Sequence, residues 1–122
     1  MIEHTVEIQT VDGSCTTFVV HPDRGGPHPV ILMYMDAAGF REELRDIARR
    51  MASSGYYVVL PNLFYRSGVC ELGLADVDPE SDWFKRMLTY VAELSIAGVM
   101  SDTDALLAFA DADEAARKGP IG

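Results

Sequence analysis

The sequence predicts an α/β fold, and three observations lead to this class. Residues 30–35 and 56–60 are two apolar runs with the pattern of strands covered on both faces of a parallel sheet. The segment between them has helical periodicity. Of the 122 residues, 48% are hydrophobic and 24% are charged, which is the composition of one globular domain rather than of a disordered chain. A strand, a crossover helix and a second strand over 30–60 predict a right-handed βαβ unit.

A β-hairpin over 1–21 is predicted to precede this unit. Residues 3–10 alternate weakly between polar and apolar side chains, as a strand exposed on one face does. Asp12-Gly13 is a strong turn signal, and residues 15–21 form the second β-branched run. Residues 22–29 (PDRGGPHP) are dense in proline and glycine and have no periodicity, so they form a surface connection to the next strand.

The helix of the βαβ unit begins near Arg41. Charged residues separate four apolar side chains at i, i+3, i+4 and i+7, which are Leu44, Ile47, Ala48 and Met51. The pattern is that of an amphipathic helix, and Ser53-Ser54-Gly55 ends it because glycine favours the position after a helix.

Helical periodicity returns over 83–117. Five apolar side chains lie on one predicted face, and these are Trp83, Met87, Leu88, Val91 and Leu94. Gly98 is expected to interrupt the segment. Ser101 with Asp104 resembles a capping box, which predicts a second helix that continues over 105–116.

Charge and cysteine usage exclude several classes of function. Ten basic against nineteen acidic residues give a formal charge of −9, which disfavours nucleic acid and anionic membrane surfaces as partners. Cys15 and Cys70 form neither a CxxC pair nor a disulfide framework, which suits a reducing compartment. No leader and no apolar stretch of roughly 20 residues is recognisable. The sequence therefore predicts a cytoplasmic protein.

Two segments are candidates for a functional site, because ligands of open α/β sheets bind beyond the carboxyl ends of the strands. They are residues 36–39 (DAAG) and residues 61–66 (PNLFYR). Small residues in the first segment let a ligand approach the backbone, so an N–H there can receive an oxyanion. From the residues alone, a tight turn with Asp36 as a solvated cap is favoured over Asp36 as a base or as a partner of a nucleophile. Arg66 is either a bidentate partner of an anionic substrate or a surface residue.

No complete catalytic set is recognisable in the sequence. No GxSxG elbow is present, and none of the serines lies in a strand–turn–helix context. His4, His21 and His28 lie in the predicted hairpin and loop and lack metal-ligand spacing. No glycine-rich phosphate loop follows a strand. The sequence therefore predicts neither a cofactor nor a metal.

Two stretches resemble the dienelactone hydrolase family of α/β-hydrolases. Residues 29–39 (PVILMYMDAAG) are similar to the family's strand and its short acidic-then-small turn. Residues 44–66 (LRDIARRMASSGYYVVLPNLFYR) are similar to its following helix, strand and basic loop position. The resemblance covers essentially the whole chain and matches the N-terminal half of the family's fold. It implies a single, partial α/β-hydrolase domain over 1–122, with a hairpin, a βαβ unit and C-terminal helices.

The resemblance also implies an activity and site residues. Family members hydrolyse carboxylic esters or lactones, as carboxymethylenebutenolidases do, through an acyl-enzyme on a cysteine or serine nucleophile. Asp36 matches the acidic residue that contacts the nucleophile, and Ala37 matches a backbone N–H of the oxyanion hole. Arg66 matches a basic loop position near the pocket, and Arg66 and Tyr65 are candidate substrate-binding residues. The nucleophile, aspartate and histidine of the triad have no counterpart here, so this chain alone is expected to be truncated and inactive.

Partners and competing functions follow from the sheet. Ile121-Gly122 resemble the start of a strand that would pair with residues 30–35, so an apolar edge is expected to be bare. A homo-oligomer or a complementing C-terminal fragment is therefore predicted, besides a small ester or lactone substrate. The alternative is a non-catalytic α/β module that binds a partner through this edge. A flavodoxin-like nucleotide binder is weaker, because no phosphate cradle follows either strand.

Overall fold

The computed structural model describes residues 1–122 and contains a four-stranded sheet flanked by helices. The strands are β1 (Ile2–Thr10), β2 (Gly13–His21), β3 (Val30–Leu32) and β4 (Tyr57–Pro61). The helices are α1 (Glu42–Ser53), α2 (Asp82–Ala92) and α3 (Ile96–Ala112), with a short 3₁₀ turn, η1, at Tyr65–Ser67. The sheet order is β1-β2-β4-β3. The β1–β2 and β2–β4 pairs are antiparallel and the β3–β4 pair is parallel, which confirms the α/β class.

The hairpin forms where the sequence predicts it. Its register pairs Ile2 with His21 and Thr10 with Gly13. The Asp12 N–H donates to the Thr10 hydroxyl across 3.2 Å. Gly13 has a φ of 143°, a backbone conformation that a side chain would disfavour. The turn residues therefore set the register of the two longest strands.

The sheet is covered on both faces, because alternate side chains of each strand point to opposite sides. One face packs under α1, and its buried cluster is Phe18, Val20, Phe40, Leu44, Ala48, Ala52, Val58 and Leu60. The other packs under α3, and its buried cluster is Ile8, Val19, Val30, Tyr57, Val59, Leu106, Ala110 and Ala116. This is a three-layer arrangement in which β4 is buried throughout.

β3 is shorter and less buried than the sequence predicts. The expected strand over 30–35 pairs only as Val30–Leu32, and Tyr34 is 45% exposed. The Met33 N–H still donates to the Val59 carbonyl across 2.8 Å. The next bond of a parallel ladder would need an N–H at Pro61, which proline lacks, so the pairing stops there.

The chain continues beside β3 at its C-terminal end. The Gly122 N–H donates to the Val30 carbonyl, and the Leu32 N–H donates to the Gly122 carbonyl, each across 3.0 Å. These bonds have the alternation of a parallel ladder. They support the prediction that Ile121-Gly122 begin a strand next to β3.

The boundaries of the last two helices correct the sequence prediction. Gly98 does not interrupt a helix, and the Ser101–Asp104 capping box does not form. The break lies between Ala92 and Ile96, where the Ser95 hydroxyl accepts the Gly98 N–H across 3.0 Å and caps α3. The cap satisfies an otherwise unpaired N–H of the first turn, which is why α3 begins five residues before the predicted capping box. None of the helices is both long and apolar enough to cross a membrane.

Candidate functional site

The Asp36–Gly39 segment is a tight turn that follows β3 at the carboxyl end of the strand. The Gly39 N–H donates to the Asp36 carbonyl across 3.0 Å and closes the turn. Gly39 has a φ of 90°, and a Cβ added there would lie 3.3 Å from the Phe64 ring. Glycine is therefore favoured by the backbone conformation, and the close packing of the turn on Phe64 adds to this preference.

Both oxygens of the Asp36 carboxylate have hydrogen-bond donors. Arg41 binds it bidentately, with Nη1–Oδ1 at 2.5 Å and Nη2–Oδ2 at 3.0 Å. The Ala38 N–H donates to Oδ1 across 3.1 Å. The hydrogen bonds from Arg41 hold the pKa of Asp36 below its ordinary value, and the same contact raises the pKa of Arg41. Asp36 is therefore a paired carboxylate, and its predicted contact with a nucleophile stays a prediction.

The Ala37 N–H is a free amide of the turn. Ala38 and Gly39 both donate to Asp36, whereas the Ala37 N–H has no acceptor within the chain. Ala37 is also exposed. The turn thus presents an unpaired N–H to the surrounding space at the place where the family resemblance implies an oxyanion donor. Its role in binding an oxyanion stays a prediction at this point.

A cleft of about 380 Å³ adjoins this turn. Its lining residues are Ala38, Arg41, Glu42, Glu43, Glu71, Gly73, Leu74 and Ala75. Three carboxylates face one guanidinium there. The Arg41 guanidinium is bound to Asp36, and Arg45 forms ion pairs with Glu42 and Glu71. The cleft has no free cation to receive an anionic ligand.

Arg66 and Tyr65 belong to a different cluster from the Asp36 turn. Two guanidinium nitrogens of Arg66 bind the Asp102 carboxylate, each across 2.8 Å, and Arg66 also binds Asp12 across 2.6 Å. The Tyr65 hydroxyl donates to Asp102 across 2.6 Å and lies 2.6 Å from the Thr10 hydroxyl. These contacts join the hairpin turn, η1 and α3. The substrate-binding roles of Arg66 and Tyr65 stay predictions. The contacts that the structure shows hold parts of the fold together.

Asp102 is the residue that sequence reasoning missed in this cluster. Asp102 is completely buried. The burial of the Tyr65 hydroxyl, together with the hydrogen bond that it donates to Asp102, raises the pKa of Tyr65 to about 12. Arg41 was likewise missed at the turn. A signal for Asp102 exists in its spacing, because it lies four residues before Leu106 and hence on the buried face of α3. A carboxylate on such a face requires a cation or donors.

The two cysteines do not supply a thiolate. Cys15 is completely buried and its thiol donates to the Asn62 carbonyl across 3.5 Å. Burial raises the pKa of Cys15 to about 11, and burial and Glu71 raise the pKa of Cys70. Both thiols are therefore protonated at neutral pH, which is unfavourable for nucleophilic attack.

Comparison with known proteins gives consistent matches. The model of the "Dienelactone hydrolase family" matches residues 15–122. A protein of Methylorubrum extorquens, provisionally named a carboxymethylenebutenolidase, is 34% identical over 110 residues, which are 90% of this chain and 35% of that protein. A provisionally named carboxymethylenebutenolidase of Escherichia coli is 31% identical over 85 residues, which are 70% of this chain and 29% of that protein.

Solved structures share the fold. A provisionally named dienelactone hydrolase of Klebsiella pneumoniae superposes with a TM-score of 0.80 at 22% identity, covering 98% of this chain and 47% of that one. A cold-adapted esterase from an Arctic intertidal metagenomic library superposes with a TM-score of 0.68 at 20% identity, covering 98% and 48%. The chain therefore spans about a third of the first curated relative and about half of these structures.

Proposed function

The chain belongs to the dienelactone hydrolase family, and from that premise we propose that it carries one oxyanion donor of an enzyme that hydrolyses carboxylic esters or lactones. The observation that supports this most directly is the unpaired Ala37 N–H beyond the carboxyl end of β3. When a nucleophile attacks an ester carbonyl, the carbonyl oxygen becomes an oxyanion. A fixed N–H that donates to that oxygen stabilises the tetrahedral intermediate more than the substrate.

The acyl-enzyme step needs residues with no counterpart in this chain. The family resemblance implies a cysteine or serine nucleophile, a histidine and an aspartate. The thiols of Cys15 and Cys70 are protonated, and neither cysteine forms a hydrogen bond with a histidine. We therefore propose that the triad comes from polypeptide outside residues 1–122 and that this chain alone does not turn over esters. The Asp36–Gly39 segment, which we call the oxyanion turn, and the adjoining cleft are its contribution to the complete enzyme.

The Ala37 N–H is tested by removing it. The complete enzyme is assembled as a chimera, with residues 1–122 from this chain and the remainder from the Methylorubrum extorquens relative. Ala37→Pro is expected to lower kcat for p-nitrophenyl acetate by about 10²–10³-fold, the typical cost of losing one oxyanion donor. Ala37→Gly, which keeps the N–H, is the matched control and retains most of the activity. Equal kcat values for the proline and glycine variants would reject Ala37 as the donor.

The charge of the cleft predicts a preference for uncharged substrates. Glu42, Glu43 and Glu71 line the cleft, and the nearby cations are already paired with carboxylates. In the same chimera, the methyl p-nitrophenyl diester of succinic acid is expected to have a kcat/KM roughly tenfold higher than mono-p-nitrophenyl succinate, as about 1.4 kcal/mol of repulsion would produce. The two esters differ only in the distal carboxylate. A preference for the anionic ester would contradict this substrate class.

A further inference from the structure

Arg41 connects the Asp36 turn to the start of α1. Its backbone is extended, with φ −161° and ψ 168°, and its carbonyl accepts the N–H groups of Leu44 and Arg45 across 3.1 Å. Its side chain reaches back over the turn instead of projecting into solvent, and it is only 24% exposed. The N-cap residue of α1 thus supplies a guanidinium to the preceding turn.

The guanidinium makes two kinds of contact with the turn. It binds both oxygens of the Asp36 carboxylate, across 2.5 and 3.0 Å, and it donates to the Gly39 carbonyl across 3.0 Å. Asp36 and Gly39 are the first and last residues of the turn. A rigid, planar fork that binds both ends restricts the turn more than a point charge would.

These contacts hold the Asp36 carboxylate on the Ala38 N–H and not on the Ala37 N–H. Arg41 holds the carboxylate where the Ala38 N–H donates to it, and the Ala37 N–H is left without an acceptor. A released Asp36 carboxylate would be able to move toward the Ala37 N–H and occupy it. It would also be an unpaired negative charge beside a developing oxyanion, which would repel it.

We propose that Arg41 is the positioning residue of the oxyanion turn: it binds Asp36 and the Gly39 carbonyl, keeps the Ala37 N–H free, and neutralises the carboxylate beside it. In this role Arg41 acts through the turn, and its side chain also lines the adjoining cleft. The inference rests on the proposed function of Ala37, and it adds a role for a residue that the sequence pattern places only at the start of a helix. It also assigns Asp36 a structural partner instead of a free carboxylate.

The test measures the turn itself in the 122-residue chain. Amide hydrogen exchange of Ala38 and Gly39 is followed by NMR, together with the titration midpoint of the Asp36 carboxyl. Arg41→Ala is expected to speed exchange at both amides by about tenfold, the size of a local opening that costs 1.4 kcal/mol less. It is also expected to raise the Asp36 midpoint toward that of a free carboxyl, because the cation that favours its ionised form is removed.

Two further variants separate geometry from charge. Arg41→Lys keeps the charge without the fork, so the Asp36 midpoint is expected to stay low while exchange still accelerates. Arg50→Ala is the control, since Arg50 is exposed in the last turn of the same helix, far along the chain from the turn. Unchanged exchange at Ala38 and Gly39 in Arg41→Ala would overturn the inference, whatever the activity.

Activity in the chimera distinguishes this inference from the proposed function. If both hold, Arg41→Ala accelerates exchange and lowers kcat for p-nitrophenyl acetate by about tenfold with little change in KM, because the loss falls on the transition state. Accelerated exchange with unchanged kcat would reject the role of Arg41 in keeping the Ala37 N–H available, whereas equal kcat values for Ala37→Pro and Ala37→Gly would reject the proposed function itself.

Discussion

Replacing Arg66 with alanine is expected to lower the free energy of unfolding by about 3–5 kcal/mol, because it leaves a buried carboxylate without its cation. Asp102 is 0% exposed, and Arg66 binds both of its oxygens across 2.8 Å. The Tyr65 hydroxyl is the remaining donor, across 2.6 Å, and a neutral hydroxyl does not balance the charge. The contact of Arg66 with Asp12 adds little, because Asp12 is 49% exposed.

Urea unfolding followed by circular dichroism measures this effect. Arg50→Ala removes a guanidinium from an exposed position and is expected to change the free energy of unfolding by less than about 0.5 kcal/mol. Arg66→Met combined with Asp102→Leu is expected to recover much of the loss, since replacing both charges leaves no unpaired buried charge. A loss below 1 kcal/mol in Arg66→Ala would show that the Asp102 carboxylate is not dependent on this cation.

The double variant also addresses the substrate-binding role that the sequence predicts for Arg66. In the structure the guanidinium is committed to Asp12, Asp102 and the Gly98 carbonyl. Built into the chimera, the double variant allows activity on anionic and neutral esters to be compared without a folding defect. A selective loss of activity on the anionic ester would show a direct role for Arg66 in substrate binding.

The hairpin and the βαβ unit could be predicted because their signals are local. Asp12-Gly13 determines the turn, and the apolar run of β4 requires burial on both faces. The length of β3 could not be predicted in the same way. It depends on Pro61, a residue of the partner strand that cannot donate the next ladder bond, and this is visible only once the register is known.

The turn at Asp36–Gly39 was predictable, and its side-chain contacts were not. Small residues at a strand end identify the Ala37 turn from the sequence. The pairing of Asp36 with Arg41 depends on the direction of the Arg41 side chain, which points from the start of α1 back to the preceding turn. The pairing of Arg66 with Asp102 joins residues 36 apart in sequence. This second pair follows from the packing of α3 against η1, which composition and periodicity do not specify.

The packing of α3 leads to the second prediction. Leu106→Ala is expected to lower the free energy of unfolding by about 2–5 kcal/mol, because it removes buried methyl groups and leaves a cavity. Leu106 is 0% exposed and lies in the cluster that covers the sheet face formed by Val19, Val59 and their neighbours. Leu88→Ala is the matched control, since Leu88 is 50% exposed on α2 and is expected to cost less than about 1 kcal/mol.

This substitution also connects the core to the candidate site. The Thr103 hydroxyl donates to the Val99 carbonyl and lies 2.8 Å from the Tyr34 hydroxyl, so Tyr34 donates to Thr103. Tyr34 is two residues before Asp36, and α3 therefore holds the segment that leads into the Asp36–Gly39 turn. If α3 anchors this segment, Leu106→Ala accelerates amide exchange at Ala38 and Gly39 as well as lowering global stability, whereas Leu88→Ala does neither. Equal unfolding free energies for the two leucine variants would mean that α3 does not form part of the core, and the buried Asp102 contacts would then need another explanation.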